Sequence, residues 1–157
     1  MTELAVENVQ DYPRPPALEP VAQRLAVYLA GELVAETVRG VRILETHHAP
    51  TYYLPAEDVL AALEPVGGTS FCEWKGHARY FDVTVNGRTA RRAAWTYPDP
   101  SAPFAALAGH VAFYAGKFDA CFVGEQRVVP QPGDFYGGWV TPNLRGIPKG
   151  APGTEFW

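Results

Sequence analysis

The stretch YFDVTVNGRTA at residues 80–90 decides the fold class, because it places Asn86-Gly87 between two strand-like runs. Asn-Gly favours the tight turn that joins two antiparallel strands. Apolar and polar residues alternate from Phe81 to Val85, so every second side chain shares one face of a strand. We therefore predict a β-hairpin centred on this pair, with one face directed to the core.

The composition extends the prediction of short strands to the whole chain. Its 157 residues include 15 Pro, 15 Gly and 20 aromatic residues, namely 8 Phe, 4 Trp and 8 Tyr. Pro and Gly interrupt helices and mark turns, and aromatic residues between turns favour short strands. We predict a mostly β fold, a compact antiparallel sandwich or open barrel of short hairpins. One short helix is predicted near residues 55–64, where acidic residues follow Pro55.

We expect one domain over residues 1–157, with an extended Pro-rich arm at 1–20, a β body at 24–129 and an ordered tail at 130–157. The length suits a single hydrophobic core. The tail is rich in Pro and Gly but also carries aromatic residues. A flexible linker would be rich in Gly and Ser with few aromatic residues. The tail is therefore expected to pack on the body.

Two segments resemble each other at an offset of 85 residues. The pattern YPRPPA…YLAGELVA, beginning at Tyr12, aligns with YPDPSA…FYAGKFDA, beginning at Tyr97. Each copy has the pattern of a Pro-rich segment followed by a β-hairpin. If the chain arose by duplication, the two hairpins should superpose.

Charge and cysteine content argue against several classes of protein. The net charge of -4 gives no general attraction to nucleic acid. No apolar run has the length of a membrane span, and the N-terminus lacks the pattern of a signal peptide, so a cytoplasmic location is expected. Cys72 and Cys121 are far apart in sequence and form no Cys-x-x-Cys motif. We expect no metal site and no cofactor.

The stretch FCEWKG at residues 71–76 combines a thiol, a carboxylate, an indole and an ammonium group. In a strand, Cys72 and Trp74 would face one side, and Lys75 the other. Cys72 is then expected to be a small buried side chain beside the indole. Gly76 is expected to allow a conformation or a close backbone approach that a side chain would block.

The other face of that strand offers the candidates for acid–base chemistry. Glu73 and Lys75 could form a solvated surface pair, or they could line a cavity. A metal-free enzyme would use Lys75, with His110, Glu73 or Asp82 as acid or base. His47 and His48 are expected to be loop residues.

Aromatic residues beside predicted loops suggest a binding site of another kind. Tyr and Trp combine large apolar areas with polar groups that need partners. A concave site walled by them, with Lys75 nearby, would suit a small planar or sugar-like ligand. The candidate ligand-binding residues are Tyr52, Tyr53, Trp74, Tyr80, Trp95, Tyr97 and Trp139.

Five ordered blocks together resemble the bacterial family called domain of unknown function 427: PTYYLPAEDV, FCEWKGHARYFDV, AAWTYPDP, GHVAFY and YGGWVTP…KGAPGT. The resemblance implies a small, mostly β domain and no established activity. The family has also been labelled nucleotidyltransferase-like. The usual pattern of that superfamily is two glycines followed by two acids one residue apart. Here Gly67-Gly68 precede Asp82, but Thr84 replaces the second acid, and one carboxylate would hold Mg²⁺ poorly.

Three functions therefore remain open from the sequence. The chain could bind a small molecule in an aromatic pocket, act as a metal-free enzyme, or form homo-oligomers through edge strands and exposed aromatic residues such as Trp139.

Overall fold

Short antiparallel strands build the fold, as the composition predicts. The computed structural model describes residues 4–72, 74–133 and 136–154. Over these ranges the strands are β1 (Glu7–Asn8), β2 (Ala17–Pro20), β3 (Leu25–Leu29), β4 (Glu32–Thr37), β5 (Val41–Leu44), β6 (Thr51–Pro55), β7 (Ala62–Cys72), β8 (Gly76–Val85), β9 (Arg88–Thr96), β10 (His110–Phe113), β11 (Ala120–Val123), β12 (Gln126–Arg127), β13 (Val129–Pro130), β14 (Trp139–Val140) and β15 (Leu144–Arg145). Short 3-10 helices span Val9–Asp11, Ala56–Asp58, Ala102–Leu107 and Ala115–Lys117.

Two antiparallel sheets face each other. The larger has the order β2-β5-β6-β10-β9-β8-β7, and the smaller has the order β12-β11-β3-β4. Side chains from both sheets form one buried cluster that includes Leu25, Val34, Leu54, Val83 and Phe113. Neither strand order closes on itself within the described residues, so the fold is a sandwich rather than a barrel.

The hairpin at residues 80–90 has the predicted form. Val85 pairs with Arg88 across Asn86-Gly87, and both turn residues have positive φ, at 51° and 75°. Positive φ at both positions is what a type I′ turn requires. The alternating side chains Phe81, Val83 and Val85 all belong to or pack against the cluster between the sheets. The opposite face of β8, which carries Tyr80, belongs to a second cluster.

The helix predicted near residues 55–64 is shorter than expected. Only Ala56–Asp58 form a 3-10 turn, and β7 already begins at Ala62. The residues between them bond to β4, where Leu60 N donates to Val34 O at 2.7 Å. Backbone pairing with a neighbouring strand thus replaces the hydrogen bonds that a second helical turn would form.

Both chain ends contribute strands to the body. Ala17–Pro20, the end of the predicted arm, form the edge strand β2, which pairs with β5. In the tail, β14 pairs with β13, and Trp139 N donates to Pro50 O at 2.8 Å. No helix within the described ranges is long and apolar enough to cross a membrane.

The two segments related by the 85-residue offset differ in structure. The first forms the hairpin β3–β4 across Ala30-Gly31. In the second, the matching Ala115-Gly116 begin a 3-10 helix, and the strands on either side of it join different sheets. The prediction of two equivalent hairpins is therefore wrong.

The larger sheet is apolar on both faces. Its inner face contributes to the cluster between the sheets, whereas its outer face carries Tyr53, Tyr80, Trp95, Tyr97 and neighbouring apolar residues. Adjacent residues such as Tyr52 and Tyr53 belong to different clusters because side chains alternate along a strand. We call the second surface the outer aromatic face.

Trp139 attaches the tail to the body through the core. Its side chain is fully buried, lies 5.3 Å from the Tyr52 ring, and donates from Nε1 to Phe113 O at 2.9 Å. Such a residue cannot present an aromatic surface to a partner chain, so it does not provide the exposed interface residue considered above.

Replacement Trp139→Phe should lower the free energy of unfolding by about 2 kcal/mol, because it removes buried apolar area and one buried hydrogen bond. Urea denaturation would measure the loss. Trp74→Phe makes the same chemical change at a half-buried turn residue and should lower the free energy of unfolding clearly less. Equal losses for the two variants would contradict the anchoring role of Trp139.

Candidate functional site

The outer aromatic face is the base of a cavity of about 300 Å³. Strands of the larger sheet form one side, and the loop at residues 45–49, the turn at Trp74-Lys75 and the tail form the rest. We call it the aromatic cavity. Its lining residues are Ile43, Glu45, His48, Ala49, Thr51, Tyr53, Ser70, Phe71, Cys72, Trp74, Lys75, Tyr80, Trp95, Tyr97, Tyr114, Tyr136, Gly137, Gly138 and Lys149.

Aromatic rings from adjacent strands form the base of the aromatic cavity. Tyr80 on β8 and Trp95 on β9 are directly paired across the ladder. The Trp95 ring lies 4.4 Å from the Tyr114 ring and 6.3 Å from the Tyr53 ring, measured between centroids. These separations fit tilted and edge-to-face packing, which keeps the rings in fixed positions.

Three tyrosine hydroxyls of the aromatic cavity, those of Tyr53, Tyr97 and Tyr114, are neutral at physiological pH. Burial raises the pKa of Tyr53 and of Tyr97 well above the ordinary value. Burial, together with the neighbouring Tyr80, raises the pKa of Tyr114 to about 12. Tyr80 and Ser70 share a hydrogen bond of 2.6 Å between their hydroxyl oxygens. The cavity therefore combines flat apolar surfaces with neutral hydroxyl groups.

The FCEWKG stretch contains the end of one strand and the start of the next, with Trp74-Lys75 in the turn before the second. β7 ends at Cys72 and β8 begins at Gly76, which pair with each other. The prediction that Cys72 and Lys75 face opposite ways is therefore wrong: both line the aromatic cavity, as does Trp74. Strand alternation does not apply because the chain reverses direction between them.

A neighbouring loop fixes this turn. Ser101 Oγ donates to Trp74 O, and Ser101 N donates to Lys75 O at 3.1 Å. Gly76 has a φ of 107°, and a Cβ there would lie 3.3 Å from Asp99 O. The prediction that Gly76 supplies both an unusual conformation and a close approach is confirmed. The loop thus holds the side chains of Trp74 and Lys75 at the cavity.

Two ammonium groups reach the aromatic cavity from different parts of the chain. Lys75 Nζ lies 5.9 Å from the centroid of the Tyr97 ring, and Lys149 Nζ lies 5.9 Å from that of Tyr136. Both distances fall within the range of cation–π contacts. Lys149 is held by its backbone, since its N donates to His47 O.

A buried glutamine links His48 to the tail and determines which imidazole nitrogen carries the proton. Gln131 Oε1 accepts from Ala49 N at 3.0 Å, and Gln131 Nε2 donates to Lys149 O at 2.8 Å. Gln131 Nε2 also lies 3.3 Å from His48 Nδ1. An amide nitrogen can only donate, so His48 Nδ1 must accept and the proton of the neutral ring must be on Nε2.

The surroundings of His48 favour this neutral form. Burial lowers the pKa of His48 to about 4, and the nearby charges of Lys149 and Lys75 act in the same direction. His48 Nε2 lies 3.8 Å from Glu45 Oε2, and both residues line the aromatic cavity. His48 is thus a hydrogen-bond donor on the side that faces Glu45.

Two glycines allow the tail to lie close to the aromatic cavity. A Cβ on Gly137 would overlap the Trp95 ring, and a Cβ on Gly138 would overlap Gln131 Oε1 and Ala49 O. Only glycine lets the backbone approach an indole and a carbonyl this closely. The YGGWV stretch is therefore the segment that places the tail over the outer aromatic face.

The structure brings together most of the residues predicted to bind a ligand. Lys75 lines the aromatic cavity, and so do five of the seven predicted aromatic residues: Tyr53, Trp74, Tyr80, Trp95 and Tyr97. Tyr52 and Trp139 instead pack between the two sheets. Their side chains lie on the inner side of the larger sheet, away from the cavity. The sequence pattern does not show which aromatic residues lie on which side.

Two of the other residues predicted to act as acid or base, His110 and Asp82, do not join Lys75. His110 begins β10 and its Nδ1 lies 3.2 Å from Ala108 O. Asp82 Oδ1 accepts from Arg92 N at 2.7 Å, where β8 and β9 shift register and Arg92 adopts a φ of 47°. Neither residue lines the aromatic cavity. Glu73 lies outside the described residues.

The glycines of the nucleotidyltransferase-like pattern also lie in a strand. Gly67 and Gly68 are inside β7, at a register shift in its pairing with β8. The strand continues after them to Cys72, where a nucleotide-binding helix would be needed, and Asp82 stabilises a bulge. Across the described ranges, no group of three His, Cys, Asp or Glu side chains could hold a metal ion.

Several lining residues were not predicted from the sequence as site residues. His48, Glu45, Cys72, Ser70, Tyr114, Tyr136 and Lys149 all belong to this set. Tyr136 and Lys149 belong to the YGGWV and KGAPGT blocks, which are among those that carry the family resemblance. Two adjacent glycines beside aromatic residues were the available signal of a close backbone approach.

One family has a sequence model that matches the chain, over residues 17–124, and its description is "Domain of unknown function (DUF427)". This match confirms the predicted resemblance. No curated protein matches the sequence. The matched range contains the sheet residues of the aromatic cavity, whereas Tyr136, Gly137, Gly138 and Lys149 lie beyond it.

The low pKa of His48 predicts a pH dependence of stability. Between pH 6.5 and about 4 the unfolded chain takes up a proton that the native imidazole does not, so unfolding becomes easier as the pH falls. The contribution of His48 to the free energy of unfolding is complete above pH 6.5, and its loss at low pH amounts to roughly 3 kcal/mol.

Replacement His48→Asn keeps an acceptor for Gln131. Urea denaturation at several pH values should show that the variant's deficit shrinks from pH 7 to pH 5. A deficit independent of pH would contradict this.

The contact between Gln131 and His48 Nδ1 can be tested by substitution. Replacement Gln131→Glu substitutes a carboxylate for the amide that donates to His48 Nδ1, and a carboxylate favours a protonated imidazole. NMR titration of the ring should therefore show a higher pKa for His48 in the variant, with His48→Asn used to identify the resonance. An unchanged or lower pKa would mean that the side chain at position 131 does not contact the His48 ring.

Proposed function

The chain belongs to the DUF427 family, and from the aromatic cavity of this member we propose that it binds a small ring-bearing molecule. The observation that supports this proposal is the convergence of aromatic rings and isolated polar groups on one concave surface. Ligand sites in proteins commonly combine apolar walls with a few polar groups that orient the ligand.

The size of the aromatic cavity limits the ligand. A volume of about 300 Å³ is at the lower end of the range for small-molecule sites, so one ring or two fused rings would fill it. The rings of Trp95 and Tyr114 pack against each other, with 4.4 Å between their centroids. The flat surfaces that they present favour a planar ligand that stacks on them or meets them edge to face.

The arrangement of His48 supports binding rather than acid–base catalysis. A general base needs a free nitrogen lone pair directed to the substrate. On His48 the only such lone pair is on Nδ1, and it accepts from Gln131. Nε2–H can instead donate to an oxygen of a bound molecule. Of the acid–base residues predicted from the sequence, His110 and Asp82 lie outside the lining of the cavity.

A screen of single-ring and fused-ring fragments by saturation-transfer-difference NMR would test the proposal. We expect binders whose signal disappears in Ser70→Trp, because the indole would occupy the aromatic cavity. Ser70 is a good site for this change because it lies on the edge strand β7 and is only half-buried.

Thr69→Trp provides the matched control, since it adds the same side chain at the neighbouring, exposed position of β7 that does not line the cavity. Binding should persist in this variant. The proposal would be overturned if no fragment bound the wild type, or if every fragment that bound the wild type also bound Ser70→Trp.

A further inference from the structure

The distribution of positive charge in the aromatic cavity is unusual for this chain. The protein has a net charge of -4 and contains three lysines, Lys75, Lys117 and Lys149. Two of the three line the aromatic cavity. They come from separate parts of the chain, the turn between β7 and β8 and the tail, and converge there through folding alone.

Lys75 and Lys149 differ from several other cationic side chains of the protein, which form ion pairs or hydrogen bonds. Arg24, Arg39, Arg42 and Arg88 each form an ion pair of 3.2 Å or less with a carboxylate. The third lysine, Lys117, donates from Nζ to Arg91 O at 2.8 Å. Within residues 4–72, 74–133 and 136–154, neither Lys75 Nζ nor Lys149 Nζ has an ion pair or hydrogen bond, although both residues are half-buried.

The charged side chains among the described lining residues of the aromatic cavity leave a positive excess. Glu45 is the only carboxylate among the described lining residues, and it faces two ammonium groups without lying within 4 Å of either. The pKa of His48 is lowered by burial and by both lysines, so this side chain adds no charge at neutral pH. Ammonium groups that form no hydrogen bond or ion pair with the described residues can donate their N–H groups to a ligand.

We propose that the ligand of the aromatic cavity is an organic anion, a planar ring bearing a carboxylate or phosphate group held between Lys75 and Lys149. This proposal rests on the binding function proposed above and adds the chemical class of the ligand. The ring packs against the outer aromatic face, and His48 Nε2–H and the tyrosine hydroxyls donate to the remaining oxygens. Because Lys149 lies in the tail, the tail supplies half of the anion site.

Binding of three related probes tests the proposal by isothermal titration calorimetry on the full chain. Benzoate and phenyl phosphate carry the two acid groups, and benzamide has the same ring without charge. We expect at least one anion to bind about tenfold or more tightly than benzamide, since hydrogen bonds to charged groups are the stronger ones. The tighter of the two anions identifies the acid group.

Variants of the chain determine which residues hold the anion. Lys75→Gln and Lys149→Gln should each weaken anion binding about tenfold while changing benzamide binding little. Lys117→Gln is the matched control and should leave both unchanged, because Lys117 lies outside the aromatic cavity yet is also 5.9 Å from a tyrosine ring. Glu45→Gln should strengthen anion binding, a gain that misfolding could not produce.

The outcomes separate the two proposals. If benzamide binds as tightly as both anions and Ser70→Trp abolishes its binding, the anion assignment is overturned and the ring-binding function stands. If anions bind but Lys75→Gln and Lys149→Gln have no more effect than Lys117→Gln, the assignment is also overturned. If no ring compound binds, charged or neutral, both proposals fail.

Discussion

The hydrogen bonds of the Gln131 side chain determine how the candidate site is assembled. This buried amide connects the backbone at Ala49, the backbone at Lys149 and the imidazole of His48. A buried amide without hydrogen-bond partners lowers stability, so the Gln131 side chain holds all three of these groups in fixed positions relative to one another. One side chain therefore sets the position of a cavity lysine and the proton location on a cavity histidine.

The sheet beneath this network has to be covered on both sides. Its inner face packs against the smaller sheet, and its outer aromatic face would expose Tyr53, Trp95 and Tyr97 to water without the tail and loops. The loops and the tail cover the outer aromatic face less completely than the smaller sheet covers the inner face. The remaining gap is the aromatic cavity, so the proposed binding site is a consequence of how the sandwich closes.

Much of this could be predicted from local sequence, and the failures have physical causes. Asn86-Gly87 and the alternation around Phe81 specify a hairpin locally, because turn chemistry and strand period act over a few residues. The position of Lys75 relative to Cys72 depends on the turn after β7, whose carbonyls at Trp74 and Lys75 accept hydrogen bonds from Ser101, far along the chain. Lys149 and Gln131 act through contacts that span up to 83 residues, and no local pattern encodes those.

The family match ends at residue 124, yet part of the cavity lining comes from the tail beyond it. The aromatic cavity is thus built from two segments, the matched β body and the tail beyond it. The sheet could be inherited unchanged while the tail diverges, and each new tail would present different groups to the same aromatic base. For a protein engineer, Lys149 is accordingly the tail position at which the groups of the aromatic cavity can be changed, whereas Trp139, buried between the sheets, has to be kept.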